Sequence, residues 1–379
     1  MKRSNNRILT THGGSLPRPD DLAHMMYDKL DGKPVDEARL KTRVKEAVAE
    51  VVGKQRAAGI DIVSDGEMSK PGFSNYIIQR FTGFGPERAQ FRATDLAEVP
   101  TLVEKHFGDE GGQHIIMPIV TGPIEVRDRD AVKIDIDNFK TALGGTSPDD
   151  AFICAVTPGQ VAFNFPNRYY SSLEKYLEAA GNALRFEYQA IIEAGFNLQL
   201  DSPELVMRGH AFTDGGPIDL TKYVPIAIEA LNHATRGLPA DKMRLHLCWG
   251  NYVGPHHKDV ELHEVIAPVL KTNAGFIYFE GANPRHEHEW EVWEKVRLPD
   301  GKAMIPGVID TATNHVEHPR LVAQRIERFA RIVGKENVIA GTDCGFGTFV
   351  GSSGVDPDVA WLKLQALAEG ARIASQRLW

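Results

Sequence analysis

Two periodicities alternate along this chain. Apolar runs of strand length, rich in β-branched and aromatic residues, end in small or polar clusters at 7–14 (RILTTHGG), 59–67 (GIDIVSDGE), 151–158 (AFICAVTP) and 196–203 (FNLQLDSP). They recur at 243–250 (MRLHLCWG), 275–281 (GFIYFEG), 303–310 (AMIPGVID) and 337–344 (NVIAGTDC). Between them the pattern turns helical. Residues 35–58 carry apolar positions at helical spacing and close on Gly59, and 171–194 do the same before Gly195. The stretch 319–333 opens on Pro319 and stops at Gly334, the asymmetry expected of helix ends. Strand–helix alternation repeated eight times predicts a parallel sheet with right-handed crossovers, closed as an α/β (β/α)8 TIM-type barrel. An open doubly wound sheet is the alternative, but no G-x-G-x-x-G opens a helix after the first strand.

Two excursions interrupt the alternation. The stretch 65–150 exceeds a simple crossover and holds a further strand-like pair at 115–127 (IIMPIVTGPIEVR). An insertion after the second strand, over about 68–150, is therefore expected to cover the barrel mouth, with a β-hairpin in it. The stretch 204–242 has room for a loop and a helix. No interdomain linker is visible, so 1–379 is expected to be a single catalytic barrel domain.

Composition narrows the class. The 379 residues are 42% hydrophobic and 25% charged, ordinary values for a globular protein. A net charge of −8 argues against a dedicated nucleic-acid binder, which would show a basic stripe. No apolar window reaches membrane-span length, and Lys2, Arg3 and Arg7 are not followed by the apolar stretch of a secretory signal. Three cysteines do not make a disulfide framework. The expectation is a cytoplasmic enzyme with reduced thiols, acting on small molecules, without nucleic-acid or membrane partners.

The stretch 245–251 (LHLCWGN) carries the most chemistry. His246 and Cys248 are one residue apart, so on a strand both point to one face. Alone, the pair is equally a buried histidine beside a buried thiol. Glu280 closes the next strand and Cys344 the last one, and strand C-termini meet at the active face of a barrel. One imidazole, two thiols and a carboxylate suit tetrahedral zinc. A glutamate ending the apolar run IYF needs a partner, and a metal is one.

These residues resemble those of the cobalamin-independent methionine synthase family, specifically its C-terminal catalytic barrel. Gly14-Ser15-Leu16-Pro17 is similar to the family's G-S-F-P turn, Asp65-Gly66-Glu67 to its H-G-E, and Leu200-Asp201-Ser202-Pro203 to its I-D-E-P. Thr157-Pro158-Gly159 stands near its T-G-P segment. Pro306-Gly307-Val308-Ile309-Asp310 resembles P-G-V-Y-D, and Thr342-Asp343-Cys344-Gly345 resembles P-D-C-G. The family's separate N-terminal barrel has no counterpart here, so the resemblance is to a stand-alone core form. It implies Zn2+ on His246, Cys248, Glu280 and Cys344, with Glu67 and Asp201 on the amino group of homocysteine and Ser15 near its carboxylate. It implies methyl transfer to the homocysteine thiol, giving methionine, from a donor such as 5-methyltetrahydrofolate.

Two positions depart from the family pattern. Ala312 stands where the family has its acid histidine, and Ser202 replaces the glutamate beside the aspartate. His315 and His12 are then the candidates for the general acid. Epoxyalkane:coenzyme M transferase, a related zinc barrel, gives the alternative function, in which a sulfonated thiol opens an epoxide. Such a pocket would need cations, for which Arg18, Lys70, Arg127 and Arg168 are candidates, though each reads first as a solvated surface charge. Cys154, inside AFICAV, reads as an inert buried thiol; His286 and His288 read as a solvated helix start; Trp249 reads as a wall of the site or as core.

Overall fold

The computed structural model describes residues 1–107, 117–212, 216–350 and 354–379. Each of the eight apolar runs contains one strand: β1 (Leu9–Thr10), β2 (Val63–Ser64), β3 (Ala151–Val156), β4 (Asn197–Asp201), β5 (Met243–His246), β6 (Phe276–Phe279), β7 (Ala303–Ile309) and β8 (Ile339–Thr342). They form one eight-stranded sheet in which every pairing is parallel, in the order β1-β8-β7-β6-β5-β4-β3-β2. Its two ends meet. Ile62 donates its N–H to the Thr10 carbonyl at 3.0 Å, and the Asp61 carboxylate accepts from Thr10 N at 2.9 Å. The sheet is thus a closed (β/α)8 barrel, as the alternation predicts, and not an open doubly wound sheet.

The outer layer contains helices α1 (Glu37–Ala57), α2 (Asp130–Leu143), α3 (Leu173–Glu193), α4 (Leu220–Ala234), α5 (Leu262–Val269), α6 (Val292–Lys295), α7 (Pro319–Val333) and α8 (Pro357–Leu378). Local chemistry sets their ends. Asp36 caps α1 by accepting from Ala38 N and Arg39 N, and Ser172 caps α3 by accepting from Lys175 N. Helix α7 runs over 319–333 as its Pro and Gly punctuation indicates. No helix among the described residues is long and apolar enough to cross a membrane.

The stretch between β2 and β3 differs from the expected insertion in one respect. Helix α2 packs against α1, so it is the crossover helix of that unit, and the excess chain lies ahead of it. Phe84–Arg88 pairs antiparallel with Pro118–Val120, and Arg92–Ala93 pairs antiparallel with Ala211–Phe212 of the loop after β4. Residues 115 and 116 of the expected hairpin fall outside the described residues. The start of the excess chain lies against the loop after β8, with Phe73 N on Thr348 O at 3.1 Å and Val350 N on Pro71 O at 2.9 Å.

The barrel interior holds a guanidinium. Arg244 on β5 is fully buried, donating to Gln199 Oε1 (2.7 Å), Thr11 Oγ1 (2.8 Å) and the His12 carbonyl (2.9 Å), with the Phe152 ring 3.4 Å away. Arg244→Met keeps the volume but leaves three buried acceptors unpaired. It should destabilise the protein by about 3 kcal/mol, seen as a lower urea midpoint with unchanged slope.

Candidate active site

The barrel brings the ends of β4, β5, β6 and β8 together. Strand β5 ends at His246; Leu247 still donates to Tyr278 O, and Cys248 follows just beyond the ladder. Cys248 Sγ lies 3.3 Å from Cys344 Sγ, and both residues are buried. The hydrogen bond to Cys344, together with burial, pushes the Cys248 thiol well above its ordinary range. Without a cation, the Cys248 thiol stays protonated.

His246 is set from the side. Its Nδ1 lies 3.0 Å from Asp201 Oδ1, and its Nε2 lies 3.3 Å from the carbonyl of Asp343, one residue before Cys344. Asp201 Oδ1 also accepts from Gln199 Nε2 at 2.7 Å. A carboxylate on one ring nitrogen fixes the ring's orientation and raises the donor strength of the other. Asp201, expected to hold an amino group, orients His246.

Glu280 has both carboxylate oxygens engaged. Oε1 accepts from Trp249 N and Oε2 from Asn283 Nδ2, each at 2.7 Å. Burial and the neighbouring Cys248 hold its pKa well above the carboxylate range. Asp343, next to Cys344, accepts from Gly281 N and Ala282 N (both 2.9 Å) on Oδ1, and from Asn283 N (2.8 Å) and Asn283 Nδ2 (2.9 Å) on Oδ2. Burial still lifts it to about 6.

The opposite rim carries Glu67. Its backbone is left-handed (φ 57°), a conformation that costs energy in a non-glycine residue and concentrates at functional sites. One of its oxygens, Oε2, is buried with no hydrogen-bond partner. Ligand atoms of Glu67, Cys154 and Asp201 all lie within 4.8 Å of one another, and among the described residues this trio is the group close enough to hold a metal ion as it stands. The four residues expected on zinc are less tightly drawn together. Cys154 is buried as expected, yet it belongs to this polar group, with Gln199 Nε2 at 3.3 Å from its sulfur. A Cβ on Gly14, whose φ is 114°, would stand 2.4 Å from Cys154 Sγ and 2.9 Å from Glu67 Oε1, so only glycine fits beneath them. Ser15 is buried beside Cys344: a Cβ on Gly345 would stand 2.1 Å from its Oγ.

The two candidates for the general acid fare differently from the rest. His12 is fully buried, its Nδ1 accepts from Gly14 N (3.2 Å) and its Nε2 lies 2.8 Å from Gln55 Oε1. Burial holds it down at about 3, so it is a neutral imidazole with both ring nitrogens hydrogen-bonded. His315 is exposed on the loop after β7, where Lys363 binds its carbonyl. Arg127 and Arg168 are exposed, whereas Lys70 is buried, donating to Cys154 O at 2.5 Å beside Glu67.

Sequence reasoning missed a second shell of charge. His286 does start a short helix, at Glu287–Glu291, but it is not solvated. It is buried, with Nε2 3.0 Å from Asp259 Oδ2, Nδ1 2.9 Å from Glu289 Oε2 and its ring 4.3 Å from that of Trp249. Burial opposes its charge, but the two carboxylates push it up to about 10. Asp259 also meets His210 and His256, at 3.0 and 2.9 Å. Trp249 is fully buried, so it packs as core and presents no face to a substrate. The N-P-R-H-E-H-E spelling after Glu280 was the available signal, but its partner Asp259 lies in another loop.

Glu67 yields a pH prediction. Burial raises its pKa from 4.5 to about 7, against the pull of Lys70. A carboxyl whose folded pKa is raised stabilises the fold fully below its unfolded pKa and loses that contribution as pH rises through the folded value. Between pH 5 and 8, Glu67→Gln should therefore gain about 2 kcal/mol on the wild type in unfolding free energy. Denaturant titrations at the two pH values measure it.

No protein-family model matches the chain. Curated relatives do. The methionine synthase of Saccharolobus solfataricus is 24% identical over 375 residues, covering 97% of this chain and 95% of that protein. The methionine synthase of Thermococcus kodakarensis is 23% identical over 371 residues, covering 96% and 93%. Among solved structures, a B12-independent methionine synthase from Shewanella sp. W3-18-1, in complex with selenomethionine, superposes with a TM-score of 0.75 at 22% identity, covering 98% of this chain and 99% of that one. The chain is a distant, full-length relative of the methionine synthases, built on the fold of the B12-independent ones.

Proposed function

We propose that the protein is a zinc-dependent methyltransferase that methylates the thiol of homocysteine to give methionine, taking the methyl group from a donor such as 5-methyltetrahydrofolate. The observation that carries this reading is the pair of buried thiols, Cys248 and Cys344, 3.3 Å apart. The donor set fits the metal: two soft sulfurs, an imidazole whose other nitrogen is held by a carboxylate, and one hard oxygen ligand. His246, Cys248, Glu280 and Cys344 would hold zinc, which when bound deprotonates a substrate thiol near neutral pH.

The remaining groups serve the amino acid. Glu67 and Asp201 are two crowded carboxylates, one with an unpaired buried oxygen, and an ammonium group would add a second cation to that of Lys70 beside Glu67. Ser15, packed against Gly345, would read the substrate carboxylate. Transfer forms the S–CH3 bond and breaks the donor's N–CH3 bond, leaving the electron pair on nitrogen. A tertiary amine leaves only when protonated, and His315, exposed on the loop after β7, is the remaining histidine candidate for that proton.

Cys248→Ser and Cys344→Ser should each lose stoichiometric zinc and methionine formation, read by metal analysis and by product assay with homocysteine and 5-methyltetrahydrofolate. Either variant keeping both would contradict the ligand set. Wild type that holds zinc and binds homocysteine but forms no methionine from this donor would overturn the donor assignment alone.

A further inference from the structure

The two halves of the candidate metal centre hang on different strands. Glu280 follows β6 and Cys344 follows β8, with β7 between them. One side chain spans the gap. Asn283 Nδ2 donates to Glu280 Oε2 at 2.7 Å and to Asp343 Oδ2 at 2.9 Å, and its backbone N–H donates to the same Asp343 oxygen at 2.8 Å. Its own orientation is fixed, because Asn283 Oδ1 accepts from Arg285 N (3.0 Å) and His286 N (3.1 Å). The amide cannot rotate without giving up that turn. It is therefore a preset donor to the Glu280 carboxylate, anchored on the residue next to Cys344.

We propose that Asn283 is a positioning residue for Glu280: its side-chain amide sets the carboxylate against Cys248 and Cys344 and ties it to the Asp343 loop. This rests on the zinc reading above, in which Glu280 is a ligand. Glu280 has two fixed donors, Trp249 N on one oxygen and Asn283 Nδ2 on the other. A carboxylate so held keeps lone pairs for a metal, while its hydrogen bonds give it a resting place when a substrate thiol takes its position. The hydrogen bonds of Asn283 go to Glu280, Asp343 and its own turn, not to either sulfur, so it acts through Glu280 and Asp343.

A double-mutant cycle on zinc affinity tests this, read by competition with a chromophoric chelator and needing no turnover. Asn283→Ser removes the amide donor but keeps a hydroxyl acceptor for the turn. Alone, it should weaken zinc binding about tenfold or more, the usual cost of losing a group that orients a metal ligand. In a Glu280→Gln background it should change affinity by less than about twofold, because the group it positions is no longer an anionic ligand. Equal losses in both backgrounds would make Asn283 a structural residue of the loop and overturn the proposal. If Glu280→Gln weakens zinc and Asn283→Ser does not, the ligand set stands and this inference falls. If Glu280→Gln leaves affinity unchanged, Glu280 is not a ligand and both fall. Should Asn283→Ser fail to fold by circular dichroism, Asn283→Asp, which keeps the acceptor and loses the donor, takes its place in the same cycle.

Discussion

The Asp343 carboxylate is the interaction on which the rest of the site depends. It gathers N–H donors from three consecutive residues of the loop after β6, Gly281, Ala282 and Asn283, and a further one from the Asn283 side chain. Parallel strands in a barrel bring their C-terminal ends to one face but do not fix the loops that leave them. A buried carboxylate with four donors does, because freeing it would strand a charge away from water and orphan the N–H groups. Glu280 and Cys344 are thus placed relative to each other by a hydrogen-bonded clamp, and the site's geometry is a property of the folded loops.

Charge is the second constraint. Glu67, Glu280 and Asp343 are all buried at one end of the barrel, and burial shifts each upward, Glu67 to about 7 and Asp343 to about 6. The thiol of Cys248 is likewise pushed up. Such a face is short of positive charge. Lys70 on one side and the doubly hydrogen-bonded His286 behind Trp249 on the other supply part of it. The proposed zinc and substrate ammonium would supply the remainder, which makes binding and ionisation a single coupled event.

Much of the architecture was legible from periodicity. The eight apolar runs each hold a barrel strand, and α1, α3 and α7 follow the caps and glycines that bound them. The first two runs shorten to two-residue strands because polar side chains take over the pairing: the Asp61 carboxylate serves Thr10, and Gln55 serves Ser64. Helix α2 hid inside an excursion whose length suggested insertion throughout. In the site, Glu280 stood out because a carboxylate closing an apolar strand needs a partner. What stayed hidden was pairing across the fold. His286 looked solvated among charged neighbours, yet its partner Asp259 comes from the preceding loop, and Asn283 meets Asp343 from a strand end two strands away. His12 was equally illegible, since burial is what holds it neutral, with Gln55 and Gly14 taking its two ring nitrogens.

Titration calorimetry of the zinc-loaded, reduced protein with homocysteine, in two buffers of different ionisation enthalpy, addresses the central claim directly. The account predicts binding with release of about one proton, as a substrate thiol becomes a thiolate in a pocket that reads an ammonium group. Coenzyme M, which lacks that group, should bind far more weakly. Tight binding of coenzyme M with none of homocysteine, or homocysteine binding without proton release, would contradict it.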